Sequence, residues 1–371
     1  MRLAFCLFRY FPFGGLQRDF MRIAQECIKR GHIVDVYTMS WEGEFEPGLA
    51  IRTLKVKGLS NHSRREDFVR QLQPFLQQNH YDLVVGFNKM PGLDVYYAAD
   101  ICYQAKARTA RRWWYRLTQR YRHNIDYEKA VFSVAAKTDI LLIAKKQQAE
   151  FQHYYHTEDK RFHLLPPGID KDRKAPANAK AIQEKVREAH AIGKNDFLLL
   201  MVGSGFKTKG VDRTLLAYAA LPPHLKKRSR VMIIGNDNAK PFERQAKQLG
   251  ILENIIFLGG RKDVPDFLLA ADLLLHPAYH ENTGTVLLEA VVAGLPVLTT
   301  DVCGYASYIH NANAGVVLPS PFKQEQFNQT LVDMLSSEER DVWHRNGLEY
   351  ANHADIYSMP ERAVLIIESL R

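Results

Sequence analysis

Short apolar runs recur along the chain, each followed by a longer stretch in which apolar residues return every three or four positions. Leu3–Phe8 predicts a strand, residues 16–30 a helix and Ile33–Thr38 a second strand; Leu83–Phe87 and Ile140–Ile143 continue the series. Farther along, Phe197–Val202, Val231–Ile234, Ile255–Phe257, Leu273–His276 and Val297–Thr299 are strand candidates separated by helical patterns. A β-α-β-α rhythm of this kind builds parallel sheets with helices on both faces. It occurs twice, and LLPPGI at Leu164–Ile169 lies between the two series. Two prolines and a glycine continue no helix, so this segment reads as a hinge. The expected fold class is α/β: two doubly wound, Rossmann-like domains, 1–166 and 167–356, facing each other across a cleft. Residues 357–371 have helical periodicity after Pro360 and could pack back on either domain; we assign them to the N-terminal one. Open α/β sheets take ligands beyond the carboxyl ends of their strands. The strand-end loops are therefore where chemistry is expected.

At 371 residues the chain exceeds one ordinary core, in keeping with two domains. No run approaches the roughly 18 apolar residues that span a bilayer. The apolar start is cut short by Arg9 and followed by no small-residue cleavage site, so it reads as a first strand rather than a leader. Cys6, Cys27, Cys102 and Cys303 show neither a CxxC pair nor framework spacing and read as free thiols of a reducing cytosol. The net charge of +9 is unevenly placed. Residues 1–168 hold 26 Lys/Arg against 17 Asp/Glu, while residues 169–371 hold 24 of each. A basic first half suggests an anionic partner such as a membrane surface, a phosphorylated substrate or nucleic acid; ordinary solubility charge is the plainer reading.

The strand DLLLHP at Asp272–Pro277 is followed by AYHENTGTVLLEAVVAGLPVLTT. Thr283 or Asn282 is the expected N-cap, Val286–Ala293 the helix, and Gly294 its terminator. A helix start at a strand end offers unpaired N–H groups and a positive dipole end to a diphosphate. Glu281 precedes that end and Glu289 lies on the helix. A carboxylate accepts two hydrogen bonds side by side, which suits the paired hydroxyls of a ribose or a hexose. Acidic complement to the helix dipole is the alternative for Glu289 alone, and fares poorly for the whole package.

After Phe197–Val202 comes GSGFKTKG, in which Gly203 and Gly205 allow close approach and Lys207 and Lys209 bring cations to phosphate. A Walker loop fails because Thr208 takes its second Gly position and Gly210 its Ser/Thr; the dinucleotide fingerprint also fails at Thr208. In the loop Tyr10–Gln17, Gly14-Gly15 follows the first strand, and Asp19 is expected to open the helix. Arg173, just past the hinge, is placed to reach a phosphate, and Arg261 completes the candidate donor set. Asp170-Lys171-Asp172 has the D-x-D pattern without a strand-end context, and none of the 14 His has ligand spacing, so no metal site is expected.

At ENTGTVLLE the chain resembles the retaining, two-domain glycosyltransferases with an E-x7-E signature, glycosyltransferase family 4. FPFGGLQRDFMRIA, WEGE, GFNKMPGLDVYYAAD, RYRH, LLPPGI, KGVDR, ADLLLHPAY, AGLPVLTT and VCGYA extend the likeness over nearly the entire chain, to the bacterial lipopolysaccharide core glucosyltransferase I family. That resemblance implies a GT-B fold and transfer of glucose from UDP-glucose to an inner-core heptose of lipopolysaccharide. It also implies an α-linkage formed with retention, without a metal or other cofactor. It places Glu281 on the glucose hydroxyls, Glu289 on the ribose, and Lys209 and Arg173 on the diphosphate with the amides of Gly284 and Thr285; Thr283 is a further candidate for the donor set. Gly15 lies beside the phosphate or the transferred sugar, and Asp19 and Asp100 line the acceptor side. Wider relatives carry Arg where this chain has Ser204, leaving Arg173 or Lys207 to supply that contact. No carboxylate is clearly placed as a nucleophile, so a front-face reaction is preferred to double displacement. Another UDP-sugar transferase with an anionic lipid-linked acceptor, a UDP-sugar epimerase on the same fold, and a non-catalytic sugar-nucleotide binding protein are the competing readings.

AKARTARRWWYRLTQRYRH at Ala105–His123 holds seven Lys/Arg and no acid. On a single helix Ala110, Trp113, Trp114, Leu117 and Tyr121 would form one stripe, with Arg108, Arg112, Arg116 and Arg122 outside it. Aromatics at headgroup level with arginines on anionic lipid describe an interfacial helix; a core helix on the first sheet is the alternative. No nucleic-acid motif accompanies it, and none is expected as a partner. The expected location is cytoplasmic, peripheral on the inner face of the cytoplasmic membrane.

Overall fold

The computed structural model describes residues 1–371 apart from Phe13, Arg111 and the side chains of Thr109 and Ala110. The chain separates into two compact units, Met1–Gly168 with Ser358–Arg371, and Ile169–Tyr357.

The first unit is a parallel sheet of β1 (Arg2–Cys6), β2 (Ile33–Thr38), β3 (Leu49–Thr53), β4 (Leu83–Gly86), β5 (Val95–Ala98), β6 (Asp139–Leu142) and β7 (Phe162–Leu164). Its order is β3-β2-β1-β4-β5-β6-β7, so the direction of winding reverses between β1 and β4. Alternation along β1 explains why the run is apolar throughout. Leu3, Phe5 and Leu7 pack against Phe20, Ile23 and Cys27 of helix Gly15–Lys29 and against Ala363, Val364 and Ile367 of helix Met359–Ser369. Ala4, Cys6 and Phe8 face Phe68 and Leu72 of helix Asn61–Asn79 and Phe132 of helix Gln119–Phe132. A strand covered on both faces has no polar positions to spare.

The second unit repeats the design with β8 (Phe197–Val202), β9 (Ser229–Ile234), β10 (Ile255–Gly259), β11 (Leu273–His276), β12 (Val297–Thr300) and β13 (Gly315–Leu318), ordered β10-β9-β8-β11-β12-β13 and parallel throughout. Leu199 and Met201 enter one core and Leu198 and Leu200 the other. Each fully buried Leu or Val contributes roughly 1.5–3 kcal/mol.

Four strands of these two sheets went unforeseen, β3, β5, β7 and β13, as did the two-residue pair Arg9–Tyr10 and Ser40–Trp41. Three of them are sheet edges; β3 is partly exposed and ends in Arg52 and Thr53, and β7 and β13 are only three and four residues long, so their apolar runs are short. The expected single helix over 105–123 is corrected. Helix Tyr103–Ala110 stops, Arg112 is extended at φ −63 and ψ 150, a 3-10 turn covers Trp113–Leu117, and Thr118 caps the next helix by accepting from Tyr121 N. Trp113, Trp114 and Leu117 are 73%, 51% and 65% exposed, which removes them from the core. Ala110, the first member of the expected stripe, has its side chain outside the described residues. No helix among the described residues is long and apolar enough to cross a membrane.

Candidate active site

In the second unit the loops after β8 and β11 are built against each other. Gly210 sits at φ +80, and a Cβ there would lie 2.1 Å from the Pro277 carbonyl oxygen, so only glycine lets the two backbones approach. Tyr279 N donates to Thr208 O at 2.8 Å, and Arg213 donates to the carbonyls of Pro277 and Ala278 at 3.1 and 3.0 Å. From the other side Thr299 Oγ1 donates to His276 O at 3.0 Å, Tyr305 N to Thr283 O at 2.8 Å, and Glu281 bridges Cys303. The segment from His276 to Thr283 is therefore held by both neighbouring loops.

This framing fixes Glu281. Its carboxylate pairs with the Lys209 ammonium, and His276 Nε2 lies 3.3 Å from the same Oε2. The Glu281 side chain is 12% exposed and that of His276 only 1%. Burial, and then the Lys209 charge, push the His276 pKa down to about 3, so the ring is neutral and donates from Nε2. Its Nδ1 is buried without a hydrogen-bond partner.

Helix Thr285–Val292 starts at Gly284, not at Thr283 or Asn282 as expected. Gly284 is the N-cap at φ +80, a conformation that β-branched Thr avoids, and no side chain caps the helix. The amide end is thus not sealed by a capping side chain. Leu287, Leu288, Ala290, Val291 and Val292 bury the opposite face, while Glu289 stays partly exposed on the helix.

The structure joins Lys209 to Glu281 and places the Lys209 chain 3.2 Å from where a Gly203 Cβ would be. Lys207 is engaged elsewhere, 2.5 Å from Asp212 Oδ2. Arg261 forks onto Asp263 at 2.8 and 2.6 Å, a bond that raises its pKa. Arg173 lies in the short turn Lys171–Arg173, with Nε 3.6 Å from the Asp172 carboxylate.

Gly15, Asp19 and Asp100 belong to the first unit. Helix Gly15–Lys29 starts at Gly15 itself, so Asp19 stands a turn inside it rather than opening it; its carboxylate accepts from Tyr97 OH at 2.8 Å. A Cβ at Gly15 would meet nothing within 4 Å, so packing does not require glycine there. Asp100 lines a cavity of about 520 Å³ at the ends of β1, β4 and β5. Sequence reasoning missed His276. Its signal was a polar residue ending the apolar run DLLLHP at the strand's carboxyl end.

Residues 13–173 match the model of Glycosyltransferase Family 4, and residues 182–350 that of Glycosyl transferases group 1. Both doubly wound sheets thus carry glycosyltransferase sequence, and together they are the GT-B arrangement; the protein is a glycosyltransferase. The chain is 49% identical to the lipopolysaccharide glucosyltransferase WaaG of Escherichia coli (strain K12), across 99% of this chain and 98% of the other. A crystal structure of WaaG superposes with a TM-score of 0.92 at 48% identity, covering 98% of this chain and 99% of that one. Sucrose-phosphate synthase from Thermosynechococcus elongatus shares the fold alone, with a TM-score of 0.80 at 16% identity over 100% of this chain and 98% of that one. The chain belongs to the family of the lipopolysaccharide glucosyltransferase WaaG.

Proposed function

We propose that the protein transfers glucose from UDP-glucose to an inner-core heptose of lipopolysaccharide, with retention and without a metal. The observation that carries this reading is the near full-length 49% identity to a lipopolysaccharide glucosyltransferase. Glu281 takes the glucose hydroxyls and Glu289 the ribose. Lys209, Arg173 and the amides at Gly284 and Thr285 hold the diphosphate, with Gly203, Lys207, Arg261 and Thr283 around it. Gly15 approaches the phosphate or sugar, and Asp19 and Asp100 orient the acceptor. The bond from the anomeric carbon to the β-phosphate oxygen breaks while the acceptor oxygen bonds on the same face. The acceptor proton passes to the departing phosphate, and the cations and helix amides stabilise the charge that develops there.

The test is transfer of labelled glucose from UDP-glucose to heptose-terminated, glucose-deficient lipopolysaccharide. Label is expected in the core with α configuration, at an unchanged rate in EDTA. Absence of transfer to that acceptor, or release of an epimerised sugar nucleotide, overturns the reading.

The same reading places the enzyme on the inner face of the cytoplasmic membrane. Trp113, Trp114 and Leu117 are exposed beside Arg112, Arg116 and Arg120, so an apolar wedge stands within a cationic rim. Sedimentation with anionic vesicles at low salt should weaken on raising salt and on Arg112→Glu/Arg116→Glu. Binding indifferent to both contradicts the docking.

A further inference from the structure

Both contacts to the Glu281 carboxylate fall on one oxygen. The Lys209 ammonium and His276 Nε2, the latter 3.3 Å away, meet at Oε2, and no side chain among the described residues bonds Oε1. A diphosphate would act differently on the two donors. Lys209 is a compact charge on a flexible stem, its side chain 21% exposed, and a diphosphate offers it more negative charge than one carboxylate does. The same diphosphate repels Glu281. His276 is neutral, since burial and then the Lys209 charge push its pKa down to about 3, so a phosphate gains little by drawing it away. Its backbone is also fixed, His276 O accepting from Thr299 Oγ1 at 3.0 Å and from Ala278 N at 2.9 Å. One donor can follow the diphosphate; the other stays.

Histidine is a costly residue at this place. Nδ1 is buried without a hydrogen-bond partner, and a polar atom left so is unfavourable. Leu273, Leu274 and Leu275 fill the preceding positions of the same strand, all buried, without that cost. What histidine adds is the Nε2–H aimed at Glu281.

We propose that His276 is a positioning residue of the transfer. By donating from Nε2 to Oε2 it keeps the Glu281 carboxylate in place, with Oε1 left for the glucose hydroxyls, once Lys209 turns to the diphosphate. The proposal rests on the glucosyltransferase reading, with Glu281 on the sugar, and adds the residue that maintains that contact.

The test compares the binding of UDP-glucose with that of UDP, which lacks the sugar, by equilibrium dialysis on the full chain. His276→Met should raise the Kd for UDP-glucose about tenfold and leave the Kd for UDP within about twofold. His276→Gln, which returns an N–H near the place of Nε2, should recover most of the loss. In the wild type, NMR shifts of the ring nitrogens should report a neutral His276 protonated at Nε2, with and without UDP. This measurement stands even where the methionine variant fails to fold. Equal weakening of both ligands, weakening of neither, no recovery with glutamine, or a ring protonated at Nδ1 overturns the proposal. Glu281→Ala separates the two readings. If it binds UDP-glucose as well as wild type does, the placement of Glu281 on the sugar fails. If it loses UDP-glucose selectively and His276→Met does not, only the role given to His276 fails.

Discussion

At the end of β11 a lysine is already neutralised by a glutamate, and a neutral histidine backs the pair. At the ends of β1, β4 and β5 cations outnumber carboxylates around an open cavity. Yet the two sheets share one strand order for their first six members. The topology therefore supplies places, and the residues just past each strand decide what charge those places offer. Net charge follows the same division. The first unit holds 28 Lys/Arg against 19 Asp/Glu, and the second 22 of each.

The sharpest way to break this comparison is at the pair. Glu281→Ala and Lys209→Ala should each lower kcat by about 10²–10³-fold, with the double variant little worse than either. Near-normal transfer by Glu281→Ala with loss in Glu289→Ala would reverse their assigned roles. Next comes the packing that holds the two loops together. Gly210→Ala drives a Cβ into Pro277 O, and urea denaturation should show a loss of about 2–4 kcal/mol; an unchanged midpoint refutes the close-approach account.

The histidine gives the second unit a pH signature; in the first unit burial also lowers the pKa of His123, which lies beside Glu66. His276 titrates near 6.5 when unfolded and at about 3 when folded, so the unfolded state binds the extra proton between those values. Stability should fall as pH drops from 6.5 toward 3, with a contribution of ~1.4 kcal/mol per pH unit. His276→Asn should flatten that slope in denaturation curves taken at several pH values. The smallest effect is expected at Arg261, already bound to an exposed aspartate. Arg261→Ala should change the donor KM by less than about threefold, and a larger rise would place it on the diphosphate.

Much of the fold was legible because central strands are buried on both faces. Ile33–Thr38, Phe197–Val202 and Leu273–His276 are apolar runs whose ends the structure reproduces. Edge strands such as Leu49–Thr53, partly exposed, carry no such run. The Glu281–Glu289 package was legible because its parts are contiguous. The partnership of Lys209 with Glu281 was not, since 72 residues separate them. The cavity that Asp100 lines draws on scattered segments, and no local pattern announces it. The break at Arg112 was hidden by helix-compatible residues on either side; packing of Tyr115 OH on Tyr103 OH at 2.7 Å turns the chain back.

The helix Met359–Ser369 has a bearing on how the molecule is made. It covers one face of the first sheet, and its Glu368 takes Arg30 as a partner 338 residues earlier in the chain. During synthesis that face is covered only in part, by helix Gly15–Lys29, until the whole second unit has left the ribosome, so the half made first is the half completed last. A nascent chain stalled before Met359 should therefore present a protease-sensitive first unit beside a finished second one.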